Sequence, residues 1–204
     1  SHRRLSNGDD KPYELNISWW SAMEDSSRDA KRFQYERFIL SQLLVMALKG
    51  VPAFYLPALL ASENDIKSFS MTGQRRDLNR EKFKSENLSA VLNNPESNAN
   101  KNLKYLRNAM DVRSELKQFH PCSEMKCLSK GRSDIVVIKR GKGPESVFAI
   151  HNMTENKINY QLNDNDLPKI IDNDFNTQDF LTSTKYNCKN ISLDPFQVIW
   201  LSAL

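Results

Sequence analysis

Apolar residues recur at helical spacing in the first quarter of the chain. The positions that carry this spacing are Phe33, Ile39, Leu43 and Leu44, followed by the apolar run 45–48. Ser26 and Asp29 resemble a capping pair ahead of them. Gly50 suits a left-handed helix cap, and Pro52 prevents the helix from continuing. The pattern predicts an amphipathic helix that becomes buried toward its end.

A short apolar run over residues 51–56 (VPAFYL) follows at once, with prolines at 52 and 57. This pattern is typical of a strand buried on both faces, so helix and strand together predict an α/β unit. Residues 61–98 are then polar and irregular. A loop of this length on an α/β scaffold is usually functional. A second amphipathic helix is predicted from about Ser97 to His120-Pro121. Its buried stripe is Leu103, Leu106, Met110, Leu116 and Phe119.

From Cys122 onward the apolar period changes from helical to two, and turn residues such as those at 141–144 separate the runs. The predicted strands are 135–138, 147–150, 158–162 and 198–201. Strands without helices between them imply an antiparallel sheet or sandwich. Residues 1–120 therefore read as α/β and residues 121–204 as all-β. The first part is too short for a closed α/β barrel, which takes about 250 residues.

Composition fits a globular protein rather than a disordered or membrane-spanning one. The chain has 204 residues and a net charge of +4, and its mean hydropathy is −0.61. No apolar run approaches the roughly 20 residues of a membrane-spanning helix. The N-terminus has neither a starting Met nor an apolar leader, so a cytoplasmic location and a chain joined mid-protein are expected. The odd number of cysteines, without metal-ligand spacing, predicts neither a disulfide framework nor a metal site.

Two polar segments are candidate sites. Tyr13 and Glu14 lie where the chain would cross the mouth of an α/β site, although a plain surface loop fits them as well. The loop after the predicted strand collects amides, carboxylates and guanidinium groups that can bond vicinal hydroxyls, and the alternative is a solvated charge run. Its basic residues lack an aromatic stacking platform, which disfavours nucleic acid. His120 and His151 have no nucleophile at a recognisable spacing and are expected to be structural.

Several segments occur in a fixed order along the chain: residues 12–18 (PYELNIS), 50–55 (GVPAFY), 62–65 (SEND), 72–82 (TGQRRDLNREK), 119–121 (FHP) and 195–201 (PFQVIWL). In this order they resemble the C-terminal half of sucrose phosphorylase-type enzymes of the α-amylase superfamily, glycoside hydrolase family 13, and in particular the glucosylglycerate phosphorylase branch. Together they cover essentially the whole chain.

The resemblance implies the C-terminal portion of a (β/α)8 TIM barrel over residues 1–120 and a small antiparallel β-sandwich domain over 121–204. Residues 27–48 would be the seventh barrel helix, 51–57 the eighth strand and 98–119 the eighth helix. Such enzymes transfer glucose from an α-glucoside to inorganic phosphate with retention, through two carboxyl groups. No cofactor or metal is implied. The strands that carry the catalytic carboxylates precede the matched region, so no catalytic residue is assigned and the chain alone is expected to be inactive.

The resemblance carries binding roles onto five positions. Arg76 matches the arginine that grips hydroxyls of the donor glucosyl unit. Tyr13 and Glu14 match a mobile loop on the acceptor and phosphate side, and Asn64 and Asp65 match the entrance. Sucrose phosphorylases commonly have Gln at the position of Glu14, which argues against plain sucrose as preferred donor. The alternatives are a glycosidase or transglucosylase of the same superfamily, and a non-catalytic carbohydrate-binding module. The acceptor and the oligomeric state stay open.

Overall fold

The computed structural model describes residues 2–25, 29, 31–129, 131–162 and 176–202. The chain packs as two compact units, Ser1–Gln34 with Phe54–Lys104, and Tyr35–Ala53 with Tyr105–Leu204. Each unit groups residues that contact one another, whereas the predicted boundary at residue 120 separates the α/β part of the sequence from the all-β part. That boundary stays a prediction. The capping role predicted for Ser26 lies outside the described residues.

Five α-helices lie in the described part of the chain: α1 (Gln34–Ala47), α2 (Leu56–Leu59), α3 (Ile66–Thr72), α4 (Ser85–Asn93) and α5 (Asn98–Glu115). Short 3₁₀ turns accompany them at Ser21–Met23, Arg75–Asn79, Lys117–Phe119 and Gly143–Glu145. The described strands are β1 (His2–Arg4), β2 (Asp10–Pro12), β3 (Met125–Cys127), β4 (Ile135–Arg140), β5 (Val147–Asn152), β6 (Ile158–Tyr160), β7 (Asn176–Gln178), β8 (Lys185–Asn187), β9 (Ile191–Leu193) and β10 (Val198–Ser202).

Helix α1 confirms the first predicted helix, with both ends displaced inward. Phe33 has φ +56°, a left-handed conformation that an α-helix does not contain, so the helix begins after it. At the other end Gly50 has φ +113°, and the helix has already ended at Ala47. The predicted apolar face is buried in part: Ile39 and Leu43 are buried, Phe33 and Leu44 are half-buried, and Leu48, just after the helix, is 44% exposed. Helix α5 likewise confirms the second predicted helix and ends at Glu115.

The strand predicted at residues 51–57 is wrong. Residues 51–55 are neither strand nor helix, and α2 begins at Leu56. The side chains are not buried on both faces either, since Val51 is 80% exposed and Tyr55 54% exposed. A strand is held by backbone hydrogen bonds to a neighbouring strand. The described residues provide no such neighbour for this segment.

The long irregular loop predicted over residues 61–98 is also wrong in part. It contains α3, the 3₁₀ turn Arg75–Asn79 and α4. Local signals start and stop these short helices: Asp65 caps α3, and Gly73, with φ +67°, ends it. None of the residues of α3 or α4 is buried. Helices of seven and nine residues are too short for helical periodicity to stand out within a polar segment.

The β-region confirms the predicted change to antiparallel strands. One sheet has the order β10-β5-β4-β3, and the pairs β6–β9 and β7–β8 form two-stranded sheets. In the larger sheet Val137 pairs with Ile150, and Ile150 pairs with Ile199. One face of this sheet shares a buried core with the β6–β9 ribbon. The core consists of Ile135, Val137, Phe148, Ile150, Leu162, Cys188, Ile191, Leu193, Ile199 and Leu201.

A buried arginine on β4 contacts the end of α1. Arg140 is fully buried, and its guanidinium donates hydrogen bonds to the carbonyl oxygens of Ala47 at 3.0 Å, Leu48 at 2.6 Å and His120 at 2.9 Å. The last carbonyls of a helix have no partner within the helix, and the dipole is negative there. The Arg140 guanidinium donates hydrogen bonds to these carbonyl oxygens and places a positive charge at the negative end of the helix dipole.

A second arginine, Arg113 on α5, serves the same end of α1. Its guanidinium donates to the carbonyl oxygens of Met46, Gly50 and Phe119, each at 3.0–3.1 Å. Burial lowers the pKa of both guanidinium groups from their ordinary value. The two arginines thus join α1, α5 and the sheet within this unit through backbone acceptors.

His151 is buried, as expected for a structural residue, and its burial indicates a fold that is sensitive to acid. It is fully buried on β5, with Nδ1 3.2 Å from the Val136 carbonyl oxygen, and burial lowers its pKa to about 4. The unfolded chain, with a pKa near 6.5, binds the proton more readily. The contribution of the neutral imidazole to stability is therefore fully present above pH 6.5. The free energy of unfolding falls by about 3 kcal/mol as the pH drops to 4.

We expect His151→Gln to remove this part of the pH dependence, measured as urea unfolding between pH 7 and 4. The exposed His120→Gln is the matched control and should follow the unsubstituted chain. An identical acid slope for the chain and His151→Gln would contradict the prediction.

The three thiols are free: Cys122 and Cys127 are exposed and Cys188 is buried. Burial raises the pKa of Cys188 to about 11. Within the described ranges, no helix combines the length and the apolarity that crossing a bilayer requires. In the same residues no three His, Cys, Asp or Glu side chains converge as metal ligands.

Candidate functional site

The segment after β2, residues 13–19, is termed the strap. Its exposed positions are apolar, with Leu15 86% exposed and Trp19 43% exposed. Its alternate positions are polar and at least half-buried: Glu14, Asn16 and Ser18. Residues 13–16 contain neither a bend nor a turn, and in extended chain successive side chains point to opposite sides. The strap therefore directs polar groups inward and apolar groups to solvent, the reverse of the usual arrangement.

Glu14 and Arg76, two of the predicted site residues, form an ion pair across 62 positions of sequence. Nε of Arg76 lies 3.1 Å from one carboxylate oxygen of Glu14, and Nη2 lies 3.3 Å from the other. Asn16 donates to the first of these oxygens at 3.0 Å. A planar fork against a carboxylate is the geometry in which arginine binds oxyanions most specifically.

The pair shifts the ionisation of both partners. The hydrogen bond from Arg76, and then that from Asn16, hold the pKa of Glu14 below its ordinary value. The same pairing raises the pKa of Arg76. Both groups are therefore charged at neutral pH. Tyr13, the third predicted residue, is 58% exposed and near enough to Arg76 to act on it electrostatically.

Asn64 ties the strap to the loop after α2. Its Oδ1 accepts a hydrogen bond from the backbone N–H of Ser18 at 2.7 Å, and its own N–H donates to Ser21 Oγ at 3.1 Å. Among the described residues no strand pairs with the strap, so its backbone needs such side-chain acceptors. Asn64 thus positions the strap.

Asp65 is the N-cap residue of α3. Its carboxylate accepts hydrogen bonds from the N–H of Ser68 at 2.9 Å and from the Ser68 hydroxyl. These bonds lower the pKa of Asp65. Its backbone N–H donates to the carbonyl oxygen of Leu78 at 2.8 Å, which lies in the same 3₁₀ turn as Arg76. The loop at 64–65 therefore positions the turn that presents Arg76.

A cleft of about 910 Å³ lies beside this loop, within the same unit. Residues 60–67, 81–84 and the start of α5 line it, together with positions on α4. Asn64 and Asp65 belong to its lining, whereas Tyr13, Glu14 and Arg76 do not. The five predicted residues thus lie in one unit but not around one cavity.

Asn16 and Ser18 make contacts in the site, but the sequence interpretation assigned no role to them. Both belong to the segment PYELNIS that carried the resemblance. The available signal was their alternation with Glu14, since positions two apart in extended chain share a face. Thr72 and Asp77 add a further link, with the Thr72 hydroxyl donating to the Asp77 carboxylate at 2.6 Å.

The capping role of Asp65 predicts a stability effect. We expect Asp65→Ala to lower the free energy of unfolding by about 1 kcal/mol, because one N-terminal N–H of α3 loses its acceptor. Urea unfolding of the full chain measures it. Glu63→Ala is the matched control: Glu63 is an exposed neighbour that only reaches Lys31 at 3.5 Å, so its loss should cost little. Equal effects of the two substitutions would contradict the capping role.

Comparison with known proteins identifies relatives of this chain, although no family model matches it. It is 31% identical over 145 residues to a glucosylglycerate phosphorylase of Allomeiothermus silvanus, spanning 71% of this chain and 26% of that protein. It is 23% identical over 195 residues to a glucosylglycerate phosphorylase of Escherichia coli, spanning 95% and 33%. A sucrose phosphorylase of Streptococcus mutans is 27% identical over 96 residues, spanning 47% and 18%.

The chain is similar to part of these phosphorylases. The resemblance predicted from the sequence is confirmed, and the chain spans about a third or less of the curated relatives it matches. Solved structures agree at the level of fold. Trehalose-6-phosphate hydrolase of Bacillus licheniformis matches with a TM-score of 0.61 and 15% identity, covering 93% of this chain and 42% of the enzyme. AmyP E221Q in complex with maltotriose matches with a TM-score of 0.65 and 15% identity, covering 83% and 35%.

These neighbours are enzymes of glycoside hydrolase family 13, and the chain has the fold of a part of them. Its mixture of helices with small antiparallel sheets agrees with that match. The prediction that the chain has the fold of a part of such enzymes, with helices and antiparallel strands, is thereby confirmed.

Proposed function

We propose that this chain is part of a retaining α-glucosyl phosphorylase. The enzyme transfers glucose between an α-glucoside, of the glucosylglycerate or sucrose type, and inorganic phosphate. The similarity to glucosylglycerate phosphorylases over most of the chain carries the proposal. Residues 1–120 are then the C-terminal part of a (β/α)8 barrel and residues 121–204 a β-sandwich domain. The protein acts in the cytoplasm without a cofactor.

The proposed binding roles rest on the resemblance of these positions to the phosphorylases. Arg76 holds hydroxyls of the donor glucosyl unit, and its charge is available at neutral pH. Tyr13 and Glu14 shape the acceptor and phosphate side from the strap. Asn64 and Asp65 lie at the entrance and keep the strap and the Arg76 turn in place through the bonds described above. A carboxylate at Glu14 disfavours plain sucrose as the donor.

The catalytic carboxyl groups are proposed to lie in parts of the relatives that this chain does not span. A retaining transfer needs a carboxylate nucleophile and a second carboxyl group that acts first as acid and then as base. Glu14, Asp65 and Asp77 are each occupied in hydrogen bonds to neighbouring side chains or backbone. The chain by itself is therefore proposed to be inactive.

The test is phosphate-dependent turnover by the product of the complete reading frame that contains this chain. We expect release of α-glucose 1-phosphate from glucosylglycerate in phosphate, and none without phosphate. Sucrose should be a poorer donor. The 204-residue chain alone is the negative control.

Two outcomes would replace the proposal. Glucose release that is independent of phosphate would identify a glycosidase or transglucosylase. Sugar binding without turnover would favour a carbohydrate-binding module.

A further inference from the structure

Glu14 binds Arg76 in the way that a ligand carboxylate would. Two parallel contacts join the Nε–Nη2 edge of the guanidinium to the two carboxylate oxygens. While Glu14 is in place, that edge has no donor left for another oxyanion. The strap therefore closes the most specific anion-binding edge of this side chain with a residue of the chain itself.

The pair is exposed enough for exchange. The side chain of Arg76 is 53% exposed and that of Glu14 33% exposed. Ion pairs in such positions contribute little to stability, because water screens them and they compete with solvation of each partner. A dissolved anion with the same geometry can therefore compete with Glu14 for this edge.

The surroundings of Arg76 remain cationic when Glu14 leaves. Arg80 is close enough to lower the pKa of Glu14 by its charge. Asn16 keeps a donor for the displaced carboxylate, so that Glu14 does not lose all its hydrogen bonds. The strap holds Glu14 through Asn16 and is itself held by Asn64.

We propose that the Nε–Nη2 edge of Arg76 is an oxyanion-binding site that Glu14 occupies as an internal competitor, and that a carboxylate or phosphate group of a ligand binds there by displacing Glu14. Nη1 of the same guanidinium stays available for a hydroxyl group. The choice of ligands to test rests on the proposed function, but the site itself requires no turnover.

The experiment is a titration of the 204-residue chain, followed by the Arg76 Nε–Hε resonance in ¹⁵N NMR spectra. That resonance is assigned by its loss in Arg76→Lys. Inorganic phosphate and glycerate are added in separate arms, and glycerol is the neutral control. In Glu14→Gln we expect half-saturation at about three- to tenfold lower anion concentration than in the unsubstituted chain. Arg75→Gln is the matched control and should stay within about twofold of the unsubstituted chain.

Response to phosphate alone, or to glycerate alone, supports the site and identifies its ligand. Equal half-saturation in the chain and in Glu14→Gln, or no response to either anion, overturns the proposal. Should Glu14→Gln fail to fold, Asn16→Ala loosens Glu14 without changing charge and should shift half-saturation in the same direction. Loss of turnover in the assay above would refute the proposed function and leave this result unaffected.

Discussion

Replacement of Arg140 by alanine is expected to lower the free energy of unfolding by about 4 kcal/mol, the largest stability effect that we predict. The substitution removes a fully buried side chain and leaves the carbonyl oxygens of Ala47, Leu48 and His120 without their donor. Two of these carbonyls lie at the negative end of α1, where the loss of a cation adds to the cost. Urea unfolding of the full chain measures it.

Two further variants make the result interpretable. Arg107→Ala removes an exposed arginine of α5 and should change stability by no more than about 0.5 kcal/mol. Arg140→Lys keeps the charge but has no planar fork, and should lose roughly half as much as the alanine variant. It also remains measurable if Arg140→Ala does not fold. Equal stability of Arg140→Ala and Arg107→Ala would show that the three carbonyls do not depend on Arg140.

If the proposed function holds, Arg76→Ala in the product of the complete reading frame is expected to lower kcat/KM by about 10²-fold or more, on the order of 3 kcal/mol of transition-state stabilisation. The proposed reason is that the guanidinium holds hydroxyls of the glucosyl unit while charge develops on it. Steady-state kinetics with glucosylglycerate and phosphate measure the effect.

Arg75→Ala is the control for Arg76, because it removes the same charge from the adjacent position of the same turn. It should alter kcat/KM only a few-fold, and its response to salt should resemble that of the unsubstituted enzyme. Unchanged kinetics in Arg76→Ala would remove Arg76 from the site.

The parts of the fold that bury apolar side chains in regular order could be predicted from the sequence. Helix α1 and strands β4, β5 and β10 each place a continuous apolar pattern in the interior. Residues 51–57 have an apolar pattern too, but a strand also needs a hydrogen-bonding neighbour, which a local pattern does not reveal. The three-residue strands β7 and β8 are too short for an alternating pattern to stand out.

The contacts within the candidate site could not be predicted from the sequence, and the membership of the site stays a prediction. Tyr13, Glu14 and Arg76 could be named from motif resemblance, yet nothing in their spacing indicates that Glu14 and Arg76 join across 62 positions. Asn64 and Asp65 could be placed near an entrance. Their bonds to Ser18 and Ser68 show side chains that also hold the backbone of the site in shape.

The end of α1 is secured by groups that do not titrate in the acid range. Its arginines bond to backbone carbonyls, and the described residues show no acidic partner for either of them. A guanidinium stays protonated and a peptide carbonyl stays neutral from alkaline to strongly acidic solution. Ion pairs such as Glu14–Arg76 lose their carboxylate charge in acid, and His151 gains a charge in the interior. Acid should therefore weaken the Glu14–Arg76 pair of the strap and the packing around His151, while the hydrogen bonds from Arg113 and Arg140 to the end of α1 are not themselves lost by titration.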